Sequence, residues 1–254
     1  MSFSYSLLTA GAGQWIVAFY GYGQQASVFR PLAAKLEGTY NVLVIDLPYE
    51  ELPLAIRKNE FANFLQGLFK KFRIQKVTGI SYSMGSRFNL VMAECLPSIL
   101  SKIILVAPDG VRIRLWTKLA TRTWAGRLIF RYLVESEHAY LNIVTILYRL
   151  KLMPSSMFAF TKWHMRDKPN RLKVYHSWMN MRNLVPDLEL INRNAMQHHL
   201  DLIAYFGKED KVINEDCMNR LSAKIPLAKI VQLNKGHSLL DKELFHDIAK
   251  LLEC

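Results

Sequence analysis

Ser83 stands in Ser81-Tyr82-Ser83-Met84-Gly85, directly after the apolar run VTGISY (77–82) and directly before a helical pattern over 84–95. A serine on such a strand-to-helix turn is pushed out of its sheet. The turn also needs small residues two places to either side, because the backbone passes closely there. Gly85 meets that demand, and Ser81 nearly meets it. The same turn aims the Met84 backbone N–H and the start of the following helix at whatever Ser83 attacks, which favours developing negative charge. A hydroxyl is a poor nucleophile until a base takes its proton, and that base needs an orienting acid. Asp210 lies in Gly207-Lys208-Glu209-Asp210 and His237 in Lys235-Gly236-His237-Ser238, each following a late apolar run. The chain order Ser83, Asp210, His237 is the one expected for a triad on a parallel sheet. Other readings exist for each residue. Ser83 could cap a helix, Asp109 of Pro108-Asp109-Gly110 or Glu209 could be the acid, and His237 could be a surface histidine. The Gly-x-x-Asp spacing favours Asp210 over Glu209.

The elements that would position these groups follow from hydrophobic periodicity. WIVAF (15–19), NVLVIDLP (41–48), VTGISY (77–82), SKIILVAP (101–108), LDLIAYFG (200–207) and LAKIVQLN (227–234) read as strands. Between and after them, Val28 to Leu36, 57–72, 84–95, 213–223 and 239–252 carry apolar residues at three- and four-residue spacing. Short apolar strands alternating with helices predict a mostly parallel sheet flanked by helices on both faces. The stretch 111–196 has no strand rhythm, only helical patterns broken by Pro154, Pro169 and Pro186. The reading is an α/β core, 1–110 and 197–254, interrupted by a helical insertion, 111–196. In such sheets ligand chemistry collects at the carboxyl ends of the strands, where Ser83, Asp210 and His237 all fall.

Taken together, YGYGQ (20–24), DLP (46–48), SYSMG (81–85), GKED (207–210) and KGHS (235–238) resemble the α/β-hydrolase superfamily, in its single-chain form with a helical cap. The similarity covers nearly all of the core. It implies Ser83 as nucleophile, Asp210 as acid and His237 as base, with the backbone N–H groups of Tyr22 and Met84 as the oxyanion hole. Two departures stand out: Tyr20-Gly21 replaces the usual His-Gly, and Ser81 replaces the first glycine of the elbow. Neither removes a catalytic group. The resemblance implies a serine hydrolase that cleaves a carboxylic ester or thioester through an acyl-enzyme. Cleavage of a carbon–carbon or amide bond is the alternative within the fold. A non-catalytic binding protein using the basic insertion is the alternative outside it. No metal and no organic cofactor are implied.

Composition narrows the partners. The 254 residues include 51% hydrophobic and 21% charged residues, a globular balance. No apolar run reaches the roughly 18 residues a spanning helix needs. The N-terminal MSFSYSLLTAGAG has no basic residue ahead of its apolar stretch, so no secretory signal is expected. Cys95, Cys217 and Cys254 are an odd, scattered set, which fits a reducing, cytoplasmic setting. His198 and His199 adjoin, but neighbours on an extended segment point apart and chelate poorly. The net charge is 33 − 21 = +12, yet 111–196 holds fifteen Lys or Arg and five Asp or Glu, or +10. A charge so localised argues against nucleic acid. It fits a solvated face, an anionic substrate or peripheral contact with a membrane. The insertion also holds Trp116, Trp124, Trp163 and Trp178 and five methionines, either as its own packing or as an apolar pocket for an acyl substrate.

Overall fold

Alternating runs of strand and helix formers give β1 (Ser4–Thr9), β2 (Gln14–Phe19), α1 (Arg30–Lys35), β3 (Tyr40–Asp46), α2 (Lys58–Lys71), β4 (Val77–Tyr82), α3 (Ser86–Cys95) and β5 (Leu100–Val106). Five helices follow: α4 (Leu115–Arg122), α5 (Trp124–Glu135), α6 (Glu137–Arg149), α7 (Ser155–His164) and α8 (Lys168–Asn180). The chain then runs through α9 (Leu188–His198), β6 (Asp201–Gly207), α10 (Glu215–Lys224), β7 (Lys229–Leu233) and α11 (Lys242–Glu253). The structure, a computed structural model, describes residues 3–11, 13–48, 55–113, 115–153 and 155–253. It divides into two compact units, 1–47 with 57–112 and 184–254, and 48–56 with 113–183.

The first unit is built on a seven-stranded sheet in the order β1-β3-β2-β4-β5-β6-β7. Only the β1–β3 pair is antiparallel; the other five pairs are parallel. β1 is absent from the sequence reading because it is a polar edge strand. Its Ser4 and Ser6 hydroxyls donate to the Asp46 carboxylate at 3.1 and 3.3 Å, so it shows no apolar run. β3 and β4 are buried almost throughout, as strands covered on both faces must be. The chain steps one way from β2 to β3 and the other way from β3 to β4. Right-handed crossovers therefore put α1 on one face and α2 and α3 on the other. The helix packing agrees: α11 lies along α1, while α9 lies between α3 and α10. On the α2–α3 face, the rings of Phe19, Phe61 and Phe88 lie 5.1 to 6.4 Å apart in a fully buried cluster. On the other face, the buried Tyr40 hydroxyl donates to the Leu252 carbonyl at 2.6 Å and holds α11.

The strand order reverses direction beside β2, and in open sheets of this kind ligands bind outside the carboxyl ends of the strands at such a point, here β2 and β4. Ser83 follows β4 and Tyr20-Gly21-Tyr22 follows β2, so both border that point. An open depression lined by Phe69, Lys70, Ile74 and Leu96 lies instead toward the amino end of β4, away from Ser83.

The second unit is helical, and its helices start where the sequence supplies caps. The Thr123 hydroxyl accepts from Gly126 N–H, Ser136 from Ala139 and Asp167 from Asn170, opening α5, α6 and α8. Pro169 sits in the first turn of α8, where its missing N–H costs nothing, so it starts a helix rather than breaking one. Pro186 precedes α9; Pro154 lies outside the described residues. The buried Arg171 ties the unit together. Its Nε donates to the Val134 carbonyl at 3.0 Å, and its guanidinium stands 5.4 Å from the Tyr140 ring. The expected insertion, 111–196, thus covers 113–183 of this unit but not its 48–56, and it also takes in α9, which packs in the first unit. His198 and His199 are not on an extended segment: His198 closes α9 and His199 takes a left-handed conformation after it. Among the described residues no group of acidic, His and Cys side chains has metal-site geometry, and no helix is long and apolar enough to cross a membrane. Cys95 is exposed and Cys217 buried, while Cys254 lies outside the described residues.

Two glycines test how tightly the layers fit. A Cβ on Gly79 in β4 would stand 2.9 Å from Met92 Cε and closer still to Asn89 Oδ1 on α3. Gly79→Ala is expected to cost about 1–3 kcal/mol through overpacking. Gly67, exposed in the interior of α2, would meet nothing within 4 Å. Gly67→Ala is expected to gain about 0.5–1 kcal/mol from helix propensity. Urea midpoints at unchanged m-value read both.

Candidate active site

Ser83 has φ 48°, in the left-handed region that non-glycine residues seldom adopt. The cause is the next turn of chain. A Cβ on Gly85 would overlap the carbonyl oxygens of Phe19 and Tyr20 at the end of β2, so α3 can start this close to the sheet only from glycine. The backbone must turn sharply at Ser83 to enter that gap, and the hydroxyl projects from the strand end. Gly85, not Ser83, is the residue that precedes α3, so the helix-capping reading of Ser83 does not hold.

Ser81, the departure from glycine, is accommodated by polar partners. Its buried hydroxyl donates to Ser86 Oγ at 3.1 Å and accepts from Asn89 Nδ2 at 3.0 Å. The extra oxygen is therefore satisfied within α3, beneath the turn. Tyr20, the other departure, is also put to use: its hydroxyl accepts from the Leu47 N–H at 2.9 Å and braces the end of β3. The Gly21 N–H donates to Gln24 Oε1 at 2.9 Å, closing the loop that carries Tyr22.

The structure brings together the three side chains that the sequence singles out. Ser83 Oγ lies 3.0 Å from His237 Nε2, and His237 Nδ1 lies 2.7 Å from Asp210 Oδ2. The other carboxylate oxygen of Asp210 accepts from the Val212 and Ile213 N–H groups at 2.8 and 2.9 Å. Four acceptor sites on a carboxylate allow this, and the two backbone donors hold it in one orientation. The Asp210 side chain is fully buried while His237 keeps 27% exposure, so the imidazole can reach a ligand and the carboxylate cannot. Asp109 is engaged elsewhere: its carboxylate accepts from Arg87 Nε at 2.8 Å, and its N–H donates to the Ser83 carbonyl at 3.0 Å. It braces the turn without touching His237.

The loops that carry Asp210 and His237 are fastened to each other. Lys208 N–H donates to the Leu233 carbonyl at 2.9 Å and Glu209 N–H to the Lys235 carbonyl at 3.1 Å, continuing the β6–β7 pairing past the strands. Gly207 permits this, since its Cβ would meet the Lys235 and Gly236 carbonyls. Lys235 Nζ binds Asp241 at 2.7 Å and Glu243 at 2.6 Å, anchoring the start of the His237 loop to α11. Those two carboxylates raise the Lys235 pKa and keep it charged.

Tyr82 is a residue that the sequence reading passed over. Its hydroxyl donates to the His237 carbonyl at 2.9 Å across 155 residues, and its ring lies 5.5 Å from the imidazole. Burial, and after it the Asp210 charge, push its pKa up to about 12. Strand periodicity puts Tyr82 on the opposite face from Ser81, and nothing in its spacing points to a loop so distant in sequence.

The aromatic candidates of the second unit separate. Trp116 and Trp178 pair at 5.3 Å, and Trp178 also meets Phe130 at 5.6 Å. Trp124 is 72% exposed on α5. Trp163 lies on α7, with its side chain outside the described residues.

No protein-family model matches the chain. It is 20% identical over 238 residues to the uncharacterized hydrolase YugF of Bacillus subtilis, a match covering 91% of this chain and 85% of that protein. A carboxylesterase structure from the thaumarchaeon Nitrososphaera gargenis superposes with TM-score 0.65 at 14% identity, covering 99% of this chain and 94% of that one. The enol-lactonase from Burkholderia xenovorans LB400 superposes with TM-score 0.61 at 16% identity, covering 99% and 95%. The mostly parallel seven-stranded sheet, its flanking helices and these likenesses make this chain one of α/β-hydrolase fold.

The Tyr82 contact carries a pH prediction. A hydroxyl whose pKa rises on folding contributes fully below its unfolded value of about 10 and loses that contribution as pH climbs through about 12. Tyr82→Phe is therefore expected to be less stable than the parent at pH 8, by roughly 0.5–1.5 kcal/mol for one lost hydrogen bond. Urea unfolding at intervals from pH 8 to 12 is expected to show that gap closing above pH 10.

Proposed function

We propose that this protein is a serine hydrolase that cleaves a carboxylic ester or thioester through an acyl-enzyme on Ser83. The observation that carries the reading is the continuous relay from Ser83 Oγ through the His237 ring to the buried Asp210 carboxylate, at 3.0 and 2.7 Å. Those distances lie within hydrogen-bond reach for nucleophile, base and orienting acid. The carboxylesterase and enol-lactonase likenesses support an acyl carbon as the point of attack.

In the first half-reaction His237 Nε2 takes the Ser83 proton as Oγ bonds to the acyl carbon, and the carbonyl π electrons move onto oxygen. The Met84 N–H, at the start of the helical turn, and the Tyr22 N–H are the donors assigned to that oxyanion. Asp210 holds Nδ1–H and stabilises the imidazolium without taking its proton. Collapse expels an alkoxide or thiolate, which leaves with the proton from Nε2. In the second half-reaction the same nitrogen deprotonates a water, which attacks the acyl-Ser83 ester. The carboxylic acid departs and Ser83 regains its proton. Substrate selection falls to the helical insertion, with Trp116 and Trp178 as its paired aromatic surface and a small acyl compound as partner. The cysteine usage supports the cytoplasm as the place of action.

An organophosphonate probe is expected to add once to the protein by intact mass and not at all to Ser83→Ala; an adduct that persists in the variant overturns the assignment. Asp210→Asn is expected to lower kcat for a p-nitrophenyl acyl ester by roughly 10⁴-fold, because the imidazole loses the partner that sets its tautomer. Asp109→Asn, which breaks only the Arg87 pair, is expected to cost less than about 10-fold at a partly exposed site. Reversed penalties would move the acid to Asp109. Esters of graded acyl length, assayed against the same enzyme, identify the acyl group it takes.

A further inference from the structure

Among the described residues, large apolar side chains are exposed almost entirely in one place. Thirteen lie between Leu115 and Leu152; the other three are Leu7, Met196 and Val212. The pattern is sharpest on α5. Trp124, Leu128 and Tyr132, at i, i+4 and i+8, are 72%, 50% and 63% exposed, and Ile129 beside them is 57% exposed. At 100° per residue these four span an arc of about 140°. Phe130 and Val134, which are buried, lie on the opposite side. The helix is thus apolar both toward its own unit and away from it. α4 adds Leu115 and Leu119, 71% and 52% exposed. A soluble helix ordinarily turns a polar face outward, and a contiguous apolar face left in water marks an interaction surface.

The charges around this face are mostly positive. Residues 115–153 hold Lys118, Arg122, Arg127, Arg131, Arg149 and Lys151 against Glu135 and Glu137 alone, or 6 − 2 = +4. Both carboxylates are already engaged, Glu135 with Lys168 at 2.6 Å and Glu137 with Arg171 at 3.9 Å. Arg127 and Arg131 flank the exposed arc of α5 on one side. Tryptophan, tyrosine and leucine amid cations are the residues that settle a helix into the headgroup boundary of a bilayer, the rings and alkyl chains below and the cations among lipid phosphates. A nucleic-acid surface would use the cations but leave this row of aliphatic side chains in water.

We infer that α4–α6 form a surface that docks on an anionic phospholipid bilayer, with the α5 arc inserted and the flanking Lys and Arg on the headgroups. This inference does not depend on Ser83 chemistry. The full-length protein is expected to co-sediment with phosphatidylcholine vesicles containing phosphatidylglycerol, and about 10-fold more weakly with phosphatidylcholine alone. Raising salt to about 1 M, where the Debye length falls to roughly 3 Å, is expected to erase that preference. The combined variant Trp124→Ser, Leu128→Ser and Ile129→Ser removes only exposed groups. It is expected to lose at least about 10-fold in vesicle affinity while its urea midpoint and far-UV circular dichroism stay those of the parent. Lys118→Glu with Arg131→Glu is expected to weaken binding to anionic vesicles alone. Ser83→Ala is expected to bind as the parent does, which separates this surface from the catalytic reading. The inference is overturned if neither vesicle is bound or if the combined Trp124→Ser, Leu128→Ser and Ile129→Ser variant partitions like the parent. It is overturned equally if light scattering shows a dimer abolished by those serines, or if duplex DNA displaces the protein from vesicles.

Discussion

The carbonyl oxygens of Phe19 and Tyr20 occupy the space where a Cβ on Gly85 would stand, and the geometry of the site follows from that close approach. Because α3 begins pressed against the end of β2, the chain leaving β4 has one residue in which to reverse, and Ser83 pays with φ 48°. A strained φ of this kind costs of order 1–3 kcal/mol and persists only where its surroundings over-determine it. Here they do. Ser81, Ser86 and Asn89 fasten the turn from beneath, and Asp109 holds the Ser83 carbonyl from the neighbouring loop. The strain is the local cost of a hydroxyl that projects from the strand end at a fixed position.

The partners of that hydroxyl are held by a different device. β6 and β7 are adjacent parallel strands, and their pairing runs on into the loops through Lys208 and Glu209. Asp210 and His237, 27 residues apart, are thereby set as neighbours by the backbone. Tyr82 then joins the two halves, since it lies beside Ser83 in sequence and donates to the His237 backbone. Its high pKa follows from the burial that makes this contact dry, so the hydroxyl stays a donor well above the ordinary tyrosine range.

The helical unit obeys other rules. Its helices begin at local caps, and a buried Arg171 bridges α5 and α8 in place of a large apolar core. Apolar residues that such a small unit cannot bury remain outside, with cations between them. The first unit concentrates its apolar residues in strands covered on both faces and leaves few in water.

Hydrophobic period and turn chemistry determined the six parallel strands, the helices between them and the places where Ser83, Asp210 and His237 fall, because these are short-range properties of the chain. β1 escaped that reading because an edge strand buries little and can be polar. The structure alone decided strand order, and with it that Asp210 rather than Asp109 meets His237, since both follow strands and differ only in what stands next to them. It likewise decided that Ser81 would be satisfied by Asn89, and that Tyr82 would reach a loop 155 residues away. It also left Trp124 in solvent while pairing Trp116 with Trp178, three residues of one type that composition cannot tell apart. Contacts between distant segments depend on sheet order and helix packing, and no local pattern encodes these.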